Sequence, residues 1–449
     1  MSARYDVVVI GANVGGFAAA SLLAKGGARV LLLEERLAPP EPGGPLFALD
    51  SVLVKSLQLE QYGLALRRRD LRLVSWDAED EPFTLARDEP RGTARALARF
   101  SRTDAEAWPA FQSDLFAQAR ALRRWWSHPH SGGEAAAVLA VPGARSRFAH
   151  ECLMGADAFL SRHFETPRLV AALLHDAVGG GLAPSEPGAA LALIWRAAQE
   201  MAGQQGAVAL AQHGSVSMAL KAACDAELRV GATVTEILVS RGAAGVRLAD
   251  GDVIPARAVI SSLTRARTET LAGIVRPVAL RAVGEAQLVL ALSETYTLPP
   301  VLDGARAVLA LTPEDYADAH EAARAGRLPS PLPLSLVAEG PRRLVLTAPV
   351  APVSPPEGWA ALQAPFAAAA IRALRRHLPG LPGALVGVTV HPPKPFARAG
   401  LAQLLAPALT RATTRVERLY LCGEEAEPLP CVSGRAGRFA AHFAARALQ

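Results

Sequence analysis

Blocks of apolar and polar positions at the start of the chain predict a strand, a turn, a helix and a second strand. Asp6 to Ile10 is an apolar run of strand length, and Gly11 to Gly16 is a glycine-rich turn. Phe17 to Gly26 has the small and apolar residues of a packed helix, and Arg29 to Glu34 is a second strand-length run. This order is typical of the opening unit of a doubly wound parallel sheet.

The pattern changes several times further along. From about Thr93 to Met201 it is mostly helical, which predicts inserted cap helices. Glu227 to Leu248 predicts a hairpin that ends at an Asp250-Gly251 turn. From Gln287 onward, several strand-length runs and one helix, Trp359 to His377, predict a second sheet.

A last strand and helix, near 418–422 and 434–448, are expected to return to the first sheet. The sequence therefore predicts an α/β protein in which a Rossmann-like domain is interleaved with a second, mixed-sheet substrate domain and a helical cap. The expected segments are 1–92, 205–275 and 411–449 for the first domain, 93–204 for the cap and 276–410 for the substrate domain.

The composition, 51% hydrophobic and 20% charged, is that of a folded globular protein. The 47 Lys and Arg exceed the 42 Asp and Glu mainly through scattered arginines, and only 5% of residues are aromatic, so a dedicated nucleic-acid binder is excluded. Four widely spaced cysteines favour a reduced, cytoplasmic setting. We find neither a secretory signal nor an apolar run of about 18 residues, so the chain is not expected to cross a membrane.

One predicted helix has an apolar stripe that ends in two tryptophans, Trp125 and Trp126. Packing of this stripe against its own domain is the expected arrangement. The alternative is a peripheral membrane contact, in which the helix lies at the membrane interface. The stripe consists of Trp108, Phe111, Leu115, Leu122 and Trp126.

The turn from Gly11 to Gly16 is the first candidate site. Backbone N–H groups and the positive end of the helix dipole meet at such a turn and can hold a pyrophosphate. Glu34 ends the second strand, 23 residues after Gly11, where it can accept hydrogen bonds from a ribose. Asn13 replaces the second glycine of the usual fingerprint. We expect the turn to survive because Asn tolerates a left-handed backbone, although its side chain adds bulk beside the phosphates.

With these elements in place, the chain resembles the flavin-dependent phytoene desaturase-like branch of the amine oxidase superfamily over nearly its whole length. The segments that carry the resemblance beyond the first unit are Ser56 to Leu64, Phe100 to Trp108, Gly179 to Gly188, Val230 to Val234, Leu419 to Gly423 and Val432 to Arg438.

The resemblance implies that the first domain binds an extended FAD, with the adenine end near Glu34 and the strand of Val234. It also implies that residues after Gly423 approach the flavin, and that a helix starting near Gly434 directs its N–H groups at the flavin or its ribityl chain. The residues expected to bind the cofactor are Gly11, Asn13, Gly15, Gly16, Glu34, Glu35, Arg36, Val234, Gly423, Glu424, Val432, Ser433 and Gly434.

Three departures from the family pattern bear on the flavin. Pro428 to Cys431 reads Pro-Leu-Pro-Cys where the family has Pro-Gly-Gly-Gly, and Gly43-Gly44 are followed by a shortened segment. His213 to Ser215 stands where the family has Gly-Gly-Met. Side chains at positions where backbone passes a cofactor are expected to weaken its binding.

No catalytic residue is assigned, because the sequence has no convincing Ser/His/Asp or Cys/His arrangement. His128-Pro129-His130 is interpreted as a solvated loop rather than a metal site, and Cys431 as a buried, inert thiol. A flavin carries the hydride chemistry itself, so missing acid-base motifs do not argue against an oxidoreductase.

The expected function is an FAD-dependent oxidoreductase of the dehydrogenase or desaturase type that removes hydride from a small apolar or amine-bearing molecule. The alternative is a degenerate homologue with weak or no FAD binding that acts as a binding or assembly partner, with another protein or as a homo-oligomer. An NAD(P)-dependent enzyme is the third option. No metal and no nucleic acid is expected.

Overall fold

The computed structural model describes residues 5–37, 49–64, 72–86, 89–127, 129, 153–203, 213–274, 280–396 and 400–449. The strands in these ranges are β1 Tyr5–Ile10, β2 Val30–Glu34, β3 Arg72–Trp76, β4 Phe83–Leu85, β5 Glu227–Val230, β6 Val234–Val239, β7 Ala243–Leu248, β8 Val253–Ser261, β9 Val283–Leu292, β10 Ala305–Leu309, β11 Ser335–Ala338, β12 Arg343–Pro352, β13 Leu385–His391 and β14 Leu419–Leu421.

The α-helices in the same ranges are α1 Val14–Lys25, α2 Ser51–Leu57, α3 Pro90–Leu97, α4 Arg102–Ser127, α5 Ala156–Ser161, α6 Pro167–Ala177, α7 Ala189–Gly203, α8 His213–Ala222, α9 Arg265–Leu271, α10 Pro313–Arg324, α11 Gly358–Leu374, α12 Leu381–Ala384, α13 Leu401–Leu405, α14 Ala408–Ala412 and α15 Arg435–Leu448. The α/β class predicted from the apolar pattern is confirmed.

The first sheet has a parallel core in the order β5, β2, β1, β8, β14. The antiparallel hairpin of β6 and β7 extends it along the long strand β8. Nearly every residue of β1 and β2 is buried, because α1 and α15 cover one face of these strands and the hairpin of β6 and β7 covers the other. The βαβ unit predicted at the N-terminus is thus present, as the first elements of this sheet.

The second sheet has the order β13, β9, β12, β11, β10, β3, β4. Its pairs are antiparallel except for β10 with β3. One face packs on α11 through Phe366, Ala370 and Leu374. Strands β3 and β4 lie within the segment 1–92 assigned from sequence to the first domain, yet they pair in the second sheet. The division of the chain into domains otherwise stays a prediction.

Helix α4 lies in the core of the cap. Trp125 is 6% exposed and Trp126 is fully buried, and the Trp126 indole N–H donates to the carbonyl oxygen of Leu404 at 2.9 Å. Neither ring is available to a bilayer, so the interfacial role considered for this helix is wrong and the packed arrangement is correct. In the part of the chain that the structure describes, no helix is both long and apolar enough to span a membrane.

A buried polar network joins the cap to the second sheet. Asp176 of α6 forms a two-point ion pair with Arg306 of β10, at 2.7 and 2.9 Å. Next to it, His175 Nδ1 lies 2.9 Å from the hydroxyl oxygen of Tyr316, which belongs to α10. Burial, reinforced by the charge of Arg306, lowers the pKa of His175 to about 3.

We expect Asp176→Ala to lower the free energy of unfolding by about 3–5 kcal/mol, because Arg306 would be left buried without its counter-ion. Urea denaturation followed by circular dichroism measures this loss. Glu321→Ala is the control, since it breaks the exposed pair with Arg324 and should change stability little. Equal losses in the two variants would contradict the role given to the network.

The low pKa of His175 predicts a loss of stability in acid. In the unfolded chain His175 becomes protonated near pH 6.5, whereas in the folded chain it stays neutral down to about pH 3. The free energy of unfolding therefore falls as the pH decreases through this window. At pH 5 the cost is about 2 kcal/mol. Denaturation at pH 7.5 and pH 5 should show a smaller acid loss in His175→Gln than in the parent. An identical loss in both would mean that other groups cause it.

Candidate functional site

The turn between β1 and α1 is held by Gly11. Its φ is +89°, and its N–H donates to the carbonyl oxygen of Leu33 at 2.7 Å. A Cβ at this position would overlap Ser262 Oγ, which itself donates to the carbonyl oxygen of Gly11 at 3.1 Å. Both the backbone conformation and the contact therefore require glycine here.

Asn13 is the N-cap of α1. Its Oδ1 accepts from the N–H of Gly16 at 3.0 Å, and its Nδ2 lies 3.5 Å from the carbonyl oxygen of Ser262. Its φ is −91°, so Asn13 does not adopt the left-handed backbone conformation that the sequence argument allowed for. The cap satisfies one first-turn N–H, whereas those of Val14 and Gly15 have no intrahelical acceptor and remain suited to an anion.

Gly15 and Gly16 are packing glycines. A Cβ on Gly15 would overlap the carbonyl oxygen of Cys422, and one on Gly16 would overlap that of Gly11. A Cβ on Gly437 of α15 would likewise overlap the carbonyl oxygen of Gly15. These contacts bring the first turn, the end of β14 and the start of α15 together.

Glu34 lies beside this turn and is 5% exposed. One carboxylate oxygen accepts from the N–H of Ala12 at 2.8 Å, and the other accepts from the N–H of Arg36 at 3.0 Å. An ionised carboxylate has about four acceptor sites, so it can still accept from a ribose hydroxyl. Glu35 and Arg36 are exposed, whereas Val234 is buried in the core beneath the hairpin.

The C-terminal part of the predicted site meets the same turn. A Cβ on Gly423 would overlap the carbonyl oxygen of Ser262. Glu424 forms an ion pair with Lys394, and Val432 packs against the core of the first sheet. Ser262 was missed from sequence, because only the pairing of β8 with β1 brings it to Gly11.

The N-terminus of α15 is satisfied by the protein's own groups. The N–H of Arg435 donates to Ser433 Oγ at 2.9 Å, and that of Ala436 donates to Glu427 at 3.0 Å. The Ser433 hydroxyl also donates to Glu427, which is 1% exposed. The expectation that these N–H groups face the flavin is therefore wrong for the first two. Glu427 carried no sequence signal that marked it as a cap.

Gly434 is covered by helix α2. A Cβ on Gly434 would overlap Leu53, a fully buried residue of that helix. The N–H of Asp50 donates to the carbonyl oxygen of Ser433 at 2.9 Å, and Arg438 donates to the Asp50 carboxylate at 2.5 Å. Helix α2 thus lies directly on the start of α15.

The remaining sequence candidates contribute no reactive group. Burial raises the pKa of the Cys431 thiol well above its usual range, which agrees with an inert thiol. Gly43-Gly44, His128 and His130 lie outside the described residues. Among the residues described, no group of three or more His, Cys, Asp or Glu side chains is placed to hold a metal ion.

Comparison with curated proteins finds two partial relatives. Hydroxyneurosporene desaturase of Cereibacter sphaeroides is 30% identical over 286 residues, which are 57% of this chain and 55% of that protein. The mouse pyridine nucleotide-disulfide oxidoreductase domain-containing protein 2 is 26% identical over 307 residues, 58% of this chain and 53% of its own length. The chain thus spans about half the length of these relatives. No family model matches it.

Solved structures match over nearly the whole chain. An oxidoreductase from Methanosarcina mazei aligns with a TM-score of 0.61 at 14% identity, covering 98% of this chain and 100% of that one. Putrescine oxidase bound to putrescine gives 0.60 at 16%, with 98% of each chain covered. Cyclohexylamine oxidase from Brevibacterium oxydans gives 0.57 at 17%, covering 99% and 98%. Over part of its length the chain is therefore similar in sequence to a desaturase, and over nearly its whole length it has the fold of these solved oxidoreductases.

Proposed function

We propose that the chain is an FAD-dependent oxidoreductase of the dehydrogenase or desaturase type, acting on a small apolar or amine-bearing molecule. The observation that carries the proposal is the hydrogen bond from Ala12 to Glu34, which holds a buried ribose acceptor against the N-terminus of α1. A dinucleotide-binding site combines a glycine turn, an acid that accepts from the ribose and a helix N-terminus that holds the pyrophosphate, and here all three lie together.

The described residues fit the adenosine end of FAD. Val14 and Gly15 offer N–H groups for the pyrophosphate, and Glu34 offers carboxylate oxygens for the ribose. When bound, FAD would supply the hydride acceptor. The chain's own contribution is to position the cofactor, at a turn where Gly15 lets the backbone pack closely against Cys422.

A second candidate function has a specific observation in its favour. The start of α15 is capped by Glu427 and covered by Leu53, so the described residues close the place where the flavin half is expected. This favours a homologue with weak FAD binding that acts as a binding or assembly partner. The relatives named above favour the oxidoreductase, and the affinity for FAD separates the two.

The adenosine end is tested by Glu34→Ala. We expect its affinity for FAD to fall by about 1–3 kcal/mol, because hydrogen bonds to a charged group are lost. Titration calorimetry on protein stripped of flavin measures the affinity, and circular dichroism verifies folding. An exposed acid of α10 provides the control, Glu321→Ala, which should leave the affinity unchanged. An unchanged affinity in Glu34→Ala would mean that Glu34 is only a strand-end acid.

The flavin end is tested by Leu53→Ala. If α2 must leave Gly434 before the flavin can enter, the parent loses the burial of Leu53, worth about 2–3 kcal/mol. We therefore expect the variant to bind FAD more than about tenfold tighter, a gain of about 1.4 kcal/mol.

Val54→Ala is the matched control, since Val54 is buried in the same helix but is not among the residues nearest the Cβ position of Gly434. Equal changes in both variants would indicate general loosening of α2. A parent that already holds stoichiometric, tightly bound FAD would refute both the closed end and the binding-partner function.

A further inference from the structure

A groove lies beside the first sheet, at the end opposite the Gly11 turn. It is formed between the C-terminal halves of α1 and α15, has a volume of about 610 Å³, and is also lined by Asp6 at the start of β1 and Gly26 after α1. The N-termini of the same two helices touch at the Gly11 turn, where Gly437 faces the carbonyl oxygen of Gly15. Helix α1 has 12 residues and is about 18 Å long, so the groove is separate from the candidate site.

Apolar side chains from both helices line this groove. Leu22 and Leu23 belong to α1, and Ala441, Ala445 and Leu448 belong to α15. Sites for small molecules have volumes of about 300–1,000 Å³ and are lined mostly by apolar groups, with a few polar groups that fix the ligand. The groove has the size and the apolar surface for an organic molecule.

Two of the cations that line the groove are neutralised by the protein. Arg257 lies 3.5 Å from the carboxylate of Asp6 and donates to the carbonyl oxygen of Leu448 at 2.5 Å. Arg438 donates to the carboxylate of Asp50 at 2.5 Å. Neither pair needs a counter-ion from a ligand.

Two further cations give the groove a positive rim. Lys25 ends α1, and its Nζ donates at 2.6 Å to the carbonyl oxygen of Ser56, a residue that lines the groove. That acceptor is uncharged, and Lys25 forms no ion pair within the described residues. Arg446 is exposed one turn after His442, and burial, together with the charges of Arg446 and Arg438, lowers the pKa of His442. Positive charge at the rim favours a ligand with an anionic group.

We propose that this groove binds a carboxylate of the fatty-acid class. The carboxylate pairs with Lys25 at the rim beside Ser56, and the apolar chain lies between the two helices, along Leu22 and Ala445. An uncharged apolar molecule would not use the rim, and a small polar anion would not cover the apolar side chains. The proposal is independent of the proposed function, because the groove shares no residue with the candidate site.

Four ligands test the chemistry of the groove: decanoate, decanol and decyltrimethylammonium for charge, and hexanoate for chain length. Titration calorimetry is run on the full chain, with circular dichroism to verify folding. Ala445→Phe fills the groove from an exposed position on α15, and Ala447→Phe is its matched control, since Ala447 is exposed on the same helix and does not line the groove. Lys25→Gln removes the rim charge, and Lys221→Gln, at an exposed position of α8, is its control.

We expect the parent to bind decanoate at least about tenfold more tightly than hexanoate, because each additional buried methylene group is worth up to about fourfold. Decanoate should bind about fivefold more tightly than decanol, and Lys25→Gln should lose this preference. Ala445→Phe should lower the affinity for decanoate at least about tenfold, whereas Ala447→Phe and Lys221→Gln should behave as the parent.

An unchanged affinity in Ala445→Phe, or equal losses in the two phenylalanine variants, would overturn the proposal by placing the bound decanoate elsewhere. Tighter binding of decyltrimethylammonium would overturn it by assigning the groove to cations, and no binding of decanoate by the folded parent would refute it. The titrations are repeated with FAD present. Decanoate affinity should not change, and mutual displacement of decanoate and FAD would also overturn the proposal. A parent that takes up no FAD but binds decanoate would refute only the proposed function.

Discussion

The architecture around the candidate site depends on the close approach of three backbone segments: the first turn, the end of β14 and the start of α15. Gly15 faces the carbonyl oxygen of Cys422, and Gly437 faces that of Gly15, with no room for a Cβ at either position. Interiors are packed as densely as crystals, so one added methyl group at such a contact must displace backbone. This contact ties the last helix of the chain to the first.

This close packing places the N-termini of α1 and α15 side by side, and the two are capped by different groups. At α1 the cap is the neutral amide of Asn13, so the remaining N–H groups and the helix dipole still favour an anion. At α15 the cap is the carboxylate of Glu427, which already supplies the negative charge that a helix N-terminus prefers. The N-terminus of α1 therefore remains suited to an anion, whereas that of α15 is already satisfied by the protein.

Charge is also distributed unevenly between the cap and the second sheet. Where α6 and α10 meet the sheet, Asp176 and Arg306 neutralise each other in the core. On the other face of the sheet, Glu285 is exposed and accepts a hydrogen bond from the neutral amide of Gln287. The buried pair is therefore the one on which stability depends, because removal of either partner leaves an uncompensated buried charge.

The sequence by itself determined the elements whose signal is local. Apolar runs and turn residues predicted the first βαβ unit, the hairpin of β6 and β7 and helix α11 near their observed bounds, and the spacing of Glu34 from Gly11 placed it at the end of β2. Such features depend on backbone preferences and on periodicity, which neighbouring residues carry. The resemblance to the desaturase-like family could be recognised from the sequence because it too is carried by short local motifs.

Only the tertiary structure decided how distant segments combine. It placed β3 in the second sheet, turned the tryptophans of α4 into the core, and set Glu427 and Leu53 against the start of α15. These outcomes depend on which surfaces meet when elements pack, and the sequence pattern of one element does not specify the partner that covers it.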